Sequence, residues 1–321
     1  MQIIRYPSDA PILDSLMHGD NNPPSLAIAL GFFDGVHIGH RHLIDGMLSV
    51  ARERGLKTAI FTFESEGEGL KRGVTRLYPT DERIGILASF GVDYLIVTDF
   101  SAVAGVSAED FVREHLVTRL GCRLAAAGFN FRFGARAQGN AEMLTALMTE
   151  CGGEALILPE ERSHGVTVST TAIRAALADG DCQRAAEMLG EPYHVSASVV
   201  HGRGDGRRFG FPTINTARDS GVPLPRGVYA TAVKIGEKFY TGVTNLGVCP
   251  TFAEREEHFE TMLLDFSEQV YGVTVKIYFL EYLRGEEVFP SPVELKTQID
   301  RDAERARAIA RSAKWQAIGR N

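Results

Sequence analysis

The stretch Gly31-Phe32-Phe33-Asp34-Gly35-Val36-His37-Ile38-Gly39-His40 decides how this chain reads. The run before it, Leu26–Leu30, is continuously apolar, as a parallel strand buried on both faces requires. The run after it, Arg41–Arg54, has helical spacing and stops at Gly55. Two histidines and three glycines therefore sit on a strand-to-helix turn. In an open α/β sheet such turns lie at the carboxyl ends of strands, where helix amides face anions. His37 and His40, three positions apart, can face one way on a first helical turn. Neutral imidazole donates from one nitrogen and imidazolium from both, which suits oxygens that gain charge in a transition state. Gly39 leaves room for a phosphate or a base to approach the backbone. A metal pair, or two ordinary loop histidines, is the alternative reading of the same spacing.

Working outward, strand and helix alternate from Leu26 to about Pro159. The expected strands are Leu26–Leu30, Lys57–Thr62, Tyr94–Val97, Arg123–Ala127 and Ala155–Leu158. Helices are expected at Arg41–Arg54, Asp81–Phe90, Ala108–Leu120 and Ala141–Thr149. Ser107 and Asp110 form a capping pair for the third helix, and Gly121 is its stop. This alternation implies a doubly wound parallel sheet. Further on, Ser169 or Thr170 is a natural N-cap for a helix over Ala172–Ala178, with Arg174 one turn in. Hydroxyls and an arginine at a helix start could hold a second anion, although any well-capped helix looks the same. Asp181–Leu189 reads as one more short helix, ended by Gly190.

From Tyr193 the character changes. Alternating runs at His194–Val200, Val228–Ile235, Phe239–Val243, Phe259–Phe266 and Val273–Glu281, joined by Gly-rich turns, predict a small antiparallel barrel. Ser291-Pro292 and Glu294 then cap a long charged helix reaching about Ser312. The expected domains are residues 1–190 and 191–321. Between the first two barrel strands lies Gly206-Arg207-Arg208-Phe209-Gly210-Phe211-Pro212-Thr213-Ile214-Asn215. Its glycine amides can point at phosphates. Thr213 and Asn215, two apart, would project from one face of an extended segment as hard oxygen ligands suited to Mg²⁺ carried by ATP. A β-arch that happens to contain Gly and Pro is the alternative.

Composition narrows the classes. The chain has 321 residues, 44% hydrophobic and 23% charged, with net charge -7, which suits two globular domains and argues against non-specific nucleic-acid binding. The basic trio Arg203, Arg207 and Arg208 is a small patch on an acidic protein. No apolar run reaches the ~20 residues a membrane helix needs, and Met1–Asp9 lacks a leader's apolar segment. Cys122, Cys151, Cys182 and Cys249 are scattered, without a CxxC pair. Together these features predict a cytoplasmic protein with no nucleic-acid or membrane partner; they leave the oligomeric state open.

The turn resembles the HxGH signature of the nucleotidyltransferase superfamily. Its longer form, Phe33-Asp34-Gly35-Val36-His37-Ile38-Gly39-His40, resembles the N-terminal half of bacterial bifunctional riboflavin kinase/FAD synthetases. Ser169-Thr170-Thr171-Ala172-Ile173-Arg174 is similar to that family's SSTxIR segment, which binds ATP phosphates opposite the HxGH turn. Gly210-Phe211-Pro212-Thr213-Ile214-Asn215 resembles the GFPTxN motif of riboflavin kinases. Pro225-Arg226-Gly227-Val228-Tyr229, the Asn245–Phe252 segment and Glu260–Phe266 resemble further family segments in the expected order. The resemblance implies a nucleotidyltransferase-like Rossmann fold followed by the barrel. It implies ATP and Mg²⁺ as co-substrate and cofactor, and riboflavin, FMN, FAD and ADP as partners.

It also implies site residues. Glu260 would be the kinase base, with Thr213 and Asn215 on the metal and amides from Gly202 to Gly210, with Phe211 and Pro212, around the polyphosphate. His37 and His40 would stabilise the transferring and leaving phosphates of an adenylyl transfer. Gly31, Phe33, Asp34, Gly35, Gly39, Asn130, Ser169, Thr170 and Arg174 would complete that nucleotide site. Three positions depart from the family pattern. Thr62-Phe63-Glu64 is followed by Ser65-Glu66-Gly67 rather than by a segment with His-Pro. Asn130 stands where an Asp is common, and Arg136 comes one position early. A riboflavin kinase with a weak adenylyltransferase half, or a non-catalytic flavin-binding regulator, therefore remains an alternative expectation.

Overall fold

The computed structural model describes residues 1–8, 25–64, 76–201, 213–217, 222–248 and 257–312. They pack as two compact units, Met1–Val168 and Ser169–Asn321.

The first unit is a six-stranded sheet in the order β1-β4-β3-β2-β5-β6, parallel throughout. Its strands are β1 (Gln2–Tyr6), β2 (Leu26–Leu30), β3 (Lys57–Phe63), β4 (Tyr94–Thr98), β5 (Cys122–Gly128) and β6 (Glu154–Leu158). All five residues of β2 are buried, as its unbroken apolar run demands. β1 was not expected: it is an edge strand with three of five residues exposed, so it carries no such run. From β2 the sheet grows through β3 and β4 to one side, then β5 returns to the other side of β2. That reversal opens a crevice beyond the carboxyl ends of β2 and β5.

Helices α1 (Ile38–Arg54), α2 (Thr80–Ala88) and α3 (Ala141–Glu150) cover the two faces. α1 buries Leu43, Ile44, Met47 and Ala51 and ends at Gly55 with φ 65°. The helix expected at 108–120 is α-helical only over Ala108–Asp110, capped by Ser107, and then widens into a π-helix over Phe111–Arg119. Its i→i−5 bonds include the Leu120 amide to the His115 carbonyl at 3.1 Å. A short hairpin, β7 (Arg162–Ser163) and β8 (Val166–Thr167), follows β6.

The second unit holds α4 (Thr170–Ala178), α5 (Cys182–Leu189), a closed barrel and α6 (Pro292–Ala310). Barrel order is β10-β13-β12-β11-β14-β9, antiparallel at every pairing. Its strands are β9 (His194–Val200), β10 (Thr213–Ala217), β11 (Gly227–Ile235), β12 (Lys238–Val248), β13 (Glu257–Leu263) and β14 (Thr274–Arg284). There are six strands where five were expected. The sixth, β10, is a five-residue piece that begins inside the Thr213–Asn215 motif, too short and polar to stand out. Buried Thr231, Thr244 and Thr261 link three strands through hydroxyl contacts of 2.8 Å each. The alternate residues Val228, Val243 and Met262 face outward and are covered by Ala303 and Ala306 of α6.

Candidate active sites

The first candidate site is the turn between β2 and α1. His37 is the N-cap of α1, with φ −67° and ψ 172°, and its Nδ1 accepts the His40 amide at 3.4 Å. That bond leaves Nε2 to carry the proton, so His37 presents a donor away from the helix. The two imidazoles stack at 3.6 Å with an angle of 14°. Burial pulls the His37 pKa down to about 4, and burial, then the neighbouring His37, holds His40 well below its ordinary value. Both rings are neutral in the free protein. No residue of the first turn of α1 is itself acidic; Glu161, from outside the helix, pairs there with His42 at 2.8 Å.

The other predicted residues of this site divide into two groups. Gly31, Gly35 and Gly39 shape the turn. A Cβ at Gly31 would stand 2.9 Å from the Phe33 ring, and one at Gly39 would meet the His37 ring and Glu161 Cβ at 3.4 Å. Gly35 has φ 82°, a value glycine adopts freely. Phe33 and Asp34 face inward. The Phe33 ring, 1% exposed, packs edge-on against His40 at 5.2 Å. The Asp34 carboxylate accepts the Leu77 amide at 3.2 Å. Asn130 is exposed just past β5, the neighbour of β2, on the crevice side of the sheet. Ser169 caps α4 by accepting the Ala172 amide at 3.2 Å. Thr170 and Arg174 are half-buried on the same helix, in the second unit.

Sequence reasoning missed a cleft of about 360 Å³ beside this turn. Gly31, Phe61, Phe63, Phe111, Phe131 and Phe133 line it, with Arg132 and Arg136. The phenylalanines come from β3, the π-helix and the loop after β5, so only folding brings them together. The dense Phe129–Phe133 stretch was the one local hint.

The second candidate site lies on the outer face of the barrel under α6. Thr213 Oγ1 donates to Glu260 Oε1 at 2.8 Å. Ladder register sets Glu260 of β13 between Asn215 of β10 and Asn245 of β12. Thr213, Asn245 and Glu260 open into a cleft of about 680 Å³ whose far wall includes Phe289, Leu295 and Ile299. Arg284 and Asp302, also in that wall, form a largely buried ion pair at 2.9 Å. Asn245 was read only as part of a motif; its place beside Glu260 follows from strand register, which local sequence does not carry. Gly202, Gly210, Phe211 and Pro212 lie outside the described residues, as does the segment after Glu64.

The FAD synthetase family model matches residues 20–172 and the riboflavin kinase model residues 189–310. Each match contains one of the two sites. The chain belongs to the bifunctional riboflavin kinase/FMN adenylyltransferase family. Curated members so named include those of Haemophilus influenzae, 36% identical over 89% of this chain and 94% of that protein, and Escherichia coli K12, 37% identical over 87% and 91%. The Bacillus subtilis member is 33% identical over 87% and 90%. Among solved structures, a Streptococcus pneumoniae chain described as a macrolide-efflux protein superposes with TM-score 0.81 and 30% identity, covering 95% of this chain and 98% of that one. Among the described residues, no helix is long and apolar enough to cross a membrane.

A family of kinases implies Mg²⁺. The residues of the second site fit it in kind: a hydroxyl, amide oxygens and a carboxylate are the hard donors Mg²⁺ takes. Among the described residues no three His, Cys, Asp or Glu side chains cluster to hold a metal. A Mg²⁺ here would therefore arrive on phosphates and take only one or two ligands from the protein.

Proposed function

We propose that this chain phosphorylates riboflavin to FMN at the barrel site and adenylylates FMN to FAD at the β2–α1 site. What carries the reading is that one chain holds two phosphate-competent sites, each beside an apolar cleft that suits a flavin ring. The functional partition is proposed at residue 190, from the order of the motifs, and the cytoplasmic location from the scattered cysteines.

At the barrel, the ribityl 5′-hydroxyl attacks the γ-phosphorus of ATP. The new P–O bond forms as the bond to the β,γ-bridging oxygen breaks, and ADP leaves. Glu260 takes the hydroxyl proton. Thr213, bonded to the same carboxylate, fixes its orientation. Mg²⁺, when bound with ATP, offsets charge on the phosphates, and Thr213 with Asn215 would hold it. The apolar wall of α6 takes the flavin ring. Glycine amides from Gly202 to Gly210 would hold the polyphosphate.

At the β2–α1 turn, an FMN phosphate oxygen attacks the α-phosphorus of ATP and pyrophosphate leaves. The His37 Nε2–H and the first amides of α1 donate to oxygens that gain charge. Phosphate binding beside the rings raises their pKa values, which strengthens that donation. The phenylalanine cleft takes the isoalloxazine, and Asn130 contacts the nucleotide. Ser169, Thr170 and Arg174, on α4, offer hydroxyl and guanidinium donors of the kind that phosphate oxygens accept.

The test is direct. The protein is incubated with riboflavin and Mg-ATP, then with FMN and Mg-ATP, and flavins are separated by chromatography. FMN followed by FAD is expected, with pyrophosphate released in the second reaction. No FMN from riboflavin would remove the kinase assignment; no FAD from FMN would remove the other.

A further inference from the structure

Arg83 is a fully buried cation, 1% exposed, on the first turn of α2. Its guanidinium donates through Nη1 to the Phe32 carbonyl at 2.7 Å and to Thr62 Oγ1 at 2.7 Å, and through Nη2 to the Phe63 carbonyl at 2.5 Å. It also lies 4.7 Å from the centre of the Phe32 ring. Thr62 Oγ1 donates to the same Phe32 carbonyl at 3.0 Å. These bonds end on the first residues of the phosphate turn and on the end of the adjacent strand.

The turn they hold is strained. Phe33 has φ 57° and Val36 φ 42°, left-handed values that bulky and β-branched residues avoid. Such backbone persists only where its surroundings over-determine it. The Phe32 carbonyl immediately precedes Phe33. The Phe33 ring packs on His40, and His40 stacks on His37.

We propose that Arg83 is a positioning residue for adenylyl transfer: its fork pins the Phe32 carbonyl, keeps Phe33 left-handed, and so holds the stacked imidazoles in register with the nucleotide. This rests on the adenylyl-transfer reading of the turn. Filling the core alone would favour an apolar residue, because burying a guanidinium is costly. The burial shows in a pKa lowered to about 10, and its Nε has no hydrogen-bond partner among the described residues. Lysine could reach one of these acceptors as a point donor, but not all three from one plane.

The variants Arg83→Lys, Arg83→Met and Thr62→Val test it in the full chain. In Arg83→Met, kcat for FAD formation is expected to fall about 100-fold, the scale of a small misplacement of reacting groups. Arg83→Lys recovers part of the loss, and Thr62→Val loses less than Arg83→Met. The KM for ATP stays within about threefold, because the lost interaction belongs to the transition state. Riboflavin phosphorylation, measured on the same preparations, stays at the wild-type rate. A second readout needs no turnover: the imidazole Cε1–H resonances of His37 and His40, identified from the His→Gln variants, shift as the stack opens. Should Arg83→Met fail to fold, Arg83→Lys and Thr62→Val carry both readouts. Folded variants with wild-type kcat for FAD formation, or with unmoved imidazole resonances, overturn the proposal. If the wild type itself makes no FAD, the functional reading fails, while the resonances still decide whether Arg83 sets the histidines.

Discussion

Replacing Asp302 with Ala should destabilise the second unit and loosen the cleft under α6 together. Asp302 sits on α6, its side chain 6% exposed, and Arg284 at the end of β14 is 16% exposed. Asp302 Oδ2 accepts from Arg284 Nε at 3.0 Å and Nη2 at 2.9 Å, and Oδ1 accepts from Gln298 at 2.9 Å. Without the carboxylate, Arg284 keeps its bond to the Gly285 carbonyl and its contact with the Phe289 ring. An uncompensated buried charge costs about 3–5 kcal/mol. Gln298 can turn to water, so its lost bond adds at most about 1 kcal/mol. The double variant Arg284→Met with Asp302→Leu removes both charges and should lie within about 2 kcal/mol of wild type, or above it. Urea unfolding followed by far-UV circular dichroism measures this. Two transitions are expected from two units, and riboflavin with Mg-ADP identifies the second by shifting it. Because α6 supplies the cleft's far wall, the riboflavin KM should rise in Asp302→Ala and the FMN-to-FAD rate should not change. A single variant costing under about 1 kcal/mol, or a double variant as unstable as the two singles summed, would refute this account of the pair.

Other perturbations separate the two sites. Glu260→Gln keeps an acceptor for Thr213 but no base, so riboflavin phosphorylation should fall by about 10²–10⁴ with FAD formation from FMN intact; an unchanged kinase rate would exclude Glu260 as the base. The first unit's stability should be flat above pH 6.5 and decline as pH falls from 6.5 to 4, because the unfolded chain binds a proton that buried His37, held at about 4, refuses. At about 1.4 kcal/mol per pH unit the loss is roughly 3 kcal/mol, with His40 adding in the same direction. His37→Gln should flatten much of that slope in urea titrations at pH 5 and 7.5, and an unaltered slope would refute it. Gly31→Ala places a Cβ 2.9 Å from the Phe33 ring, so overpacking of about 1–3 kcal/mol and slower FAD formation are expected, read by melting and flavin chromatography.

What local sequence carried is what local chemistry decides. The buried strand at Leu26–Leu30, the caps at Ser107, Ser169 and Ser291, and the stops at Gly55 and Gly190 are each set by a few neighbouring residues. What it did not carry depends on distant partners. β1 is a strand because β4 offers it a parallel edge, and β10 because β9 and β13 take it into the barrel. The aromatic cleft draws on three elements far apart in the chain. Asp34 sits in the signature turn yet gives its carboxylate to Leu77, while Arg83, in a helix that reads as polar, is among the most buried residues.

The two proposed sites differ in whether they offer a free carboxylate, and the nucleophile explains why. Riboflavin's attacking group is an alcohol, which must lose a proton as it bonds to phosphorus, so a base is called for at the barrel, the role proposed for Glu260, whose carboxylate Thr213 holds. FMN attacks through a phosphate already largely ionised near neutral pH, so a base at the other site would have nothing to accept. A free carboxylate there would repel both the incoming phosphate and the triphosphate. The acids at the β2–α1 turn are accordingly tied up: Asp34 is 9% exposed and bonded to the Leu77 amide, and Glu161, beside the start of α1, is paired with His42 at 2.8 Å. The turn presents neutral imidazoles and the amides at the start of α1, whose own first turn carries no acid, instead. An acid placed on that helix end, Gly39→Asp, should therefore damage FAD formation far more than the Ala substitution at the same residue, whose Cβ meets only ordinary contacts at 3.4 Å. Equal losses in the two variants would mean that space, rather than charge, governs the site.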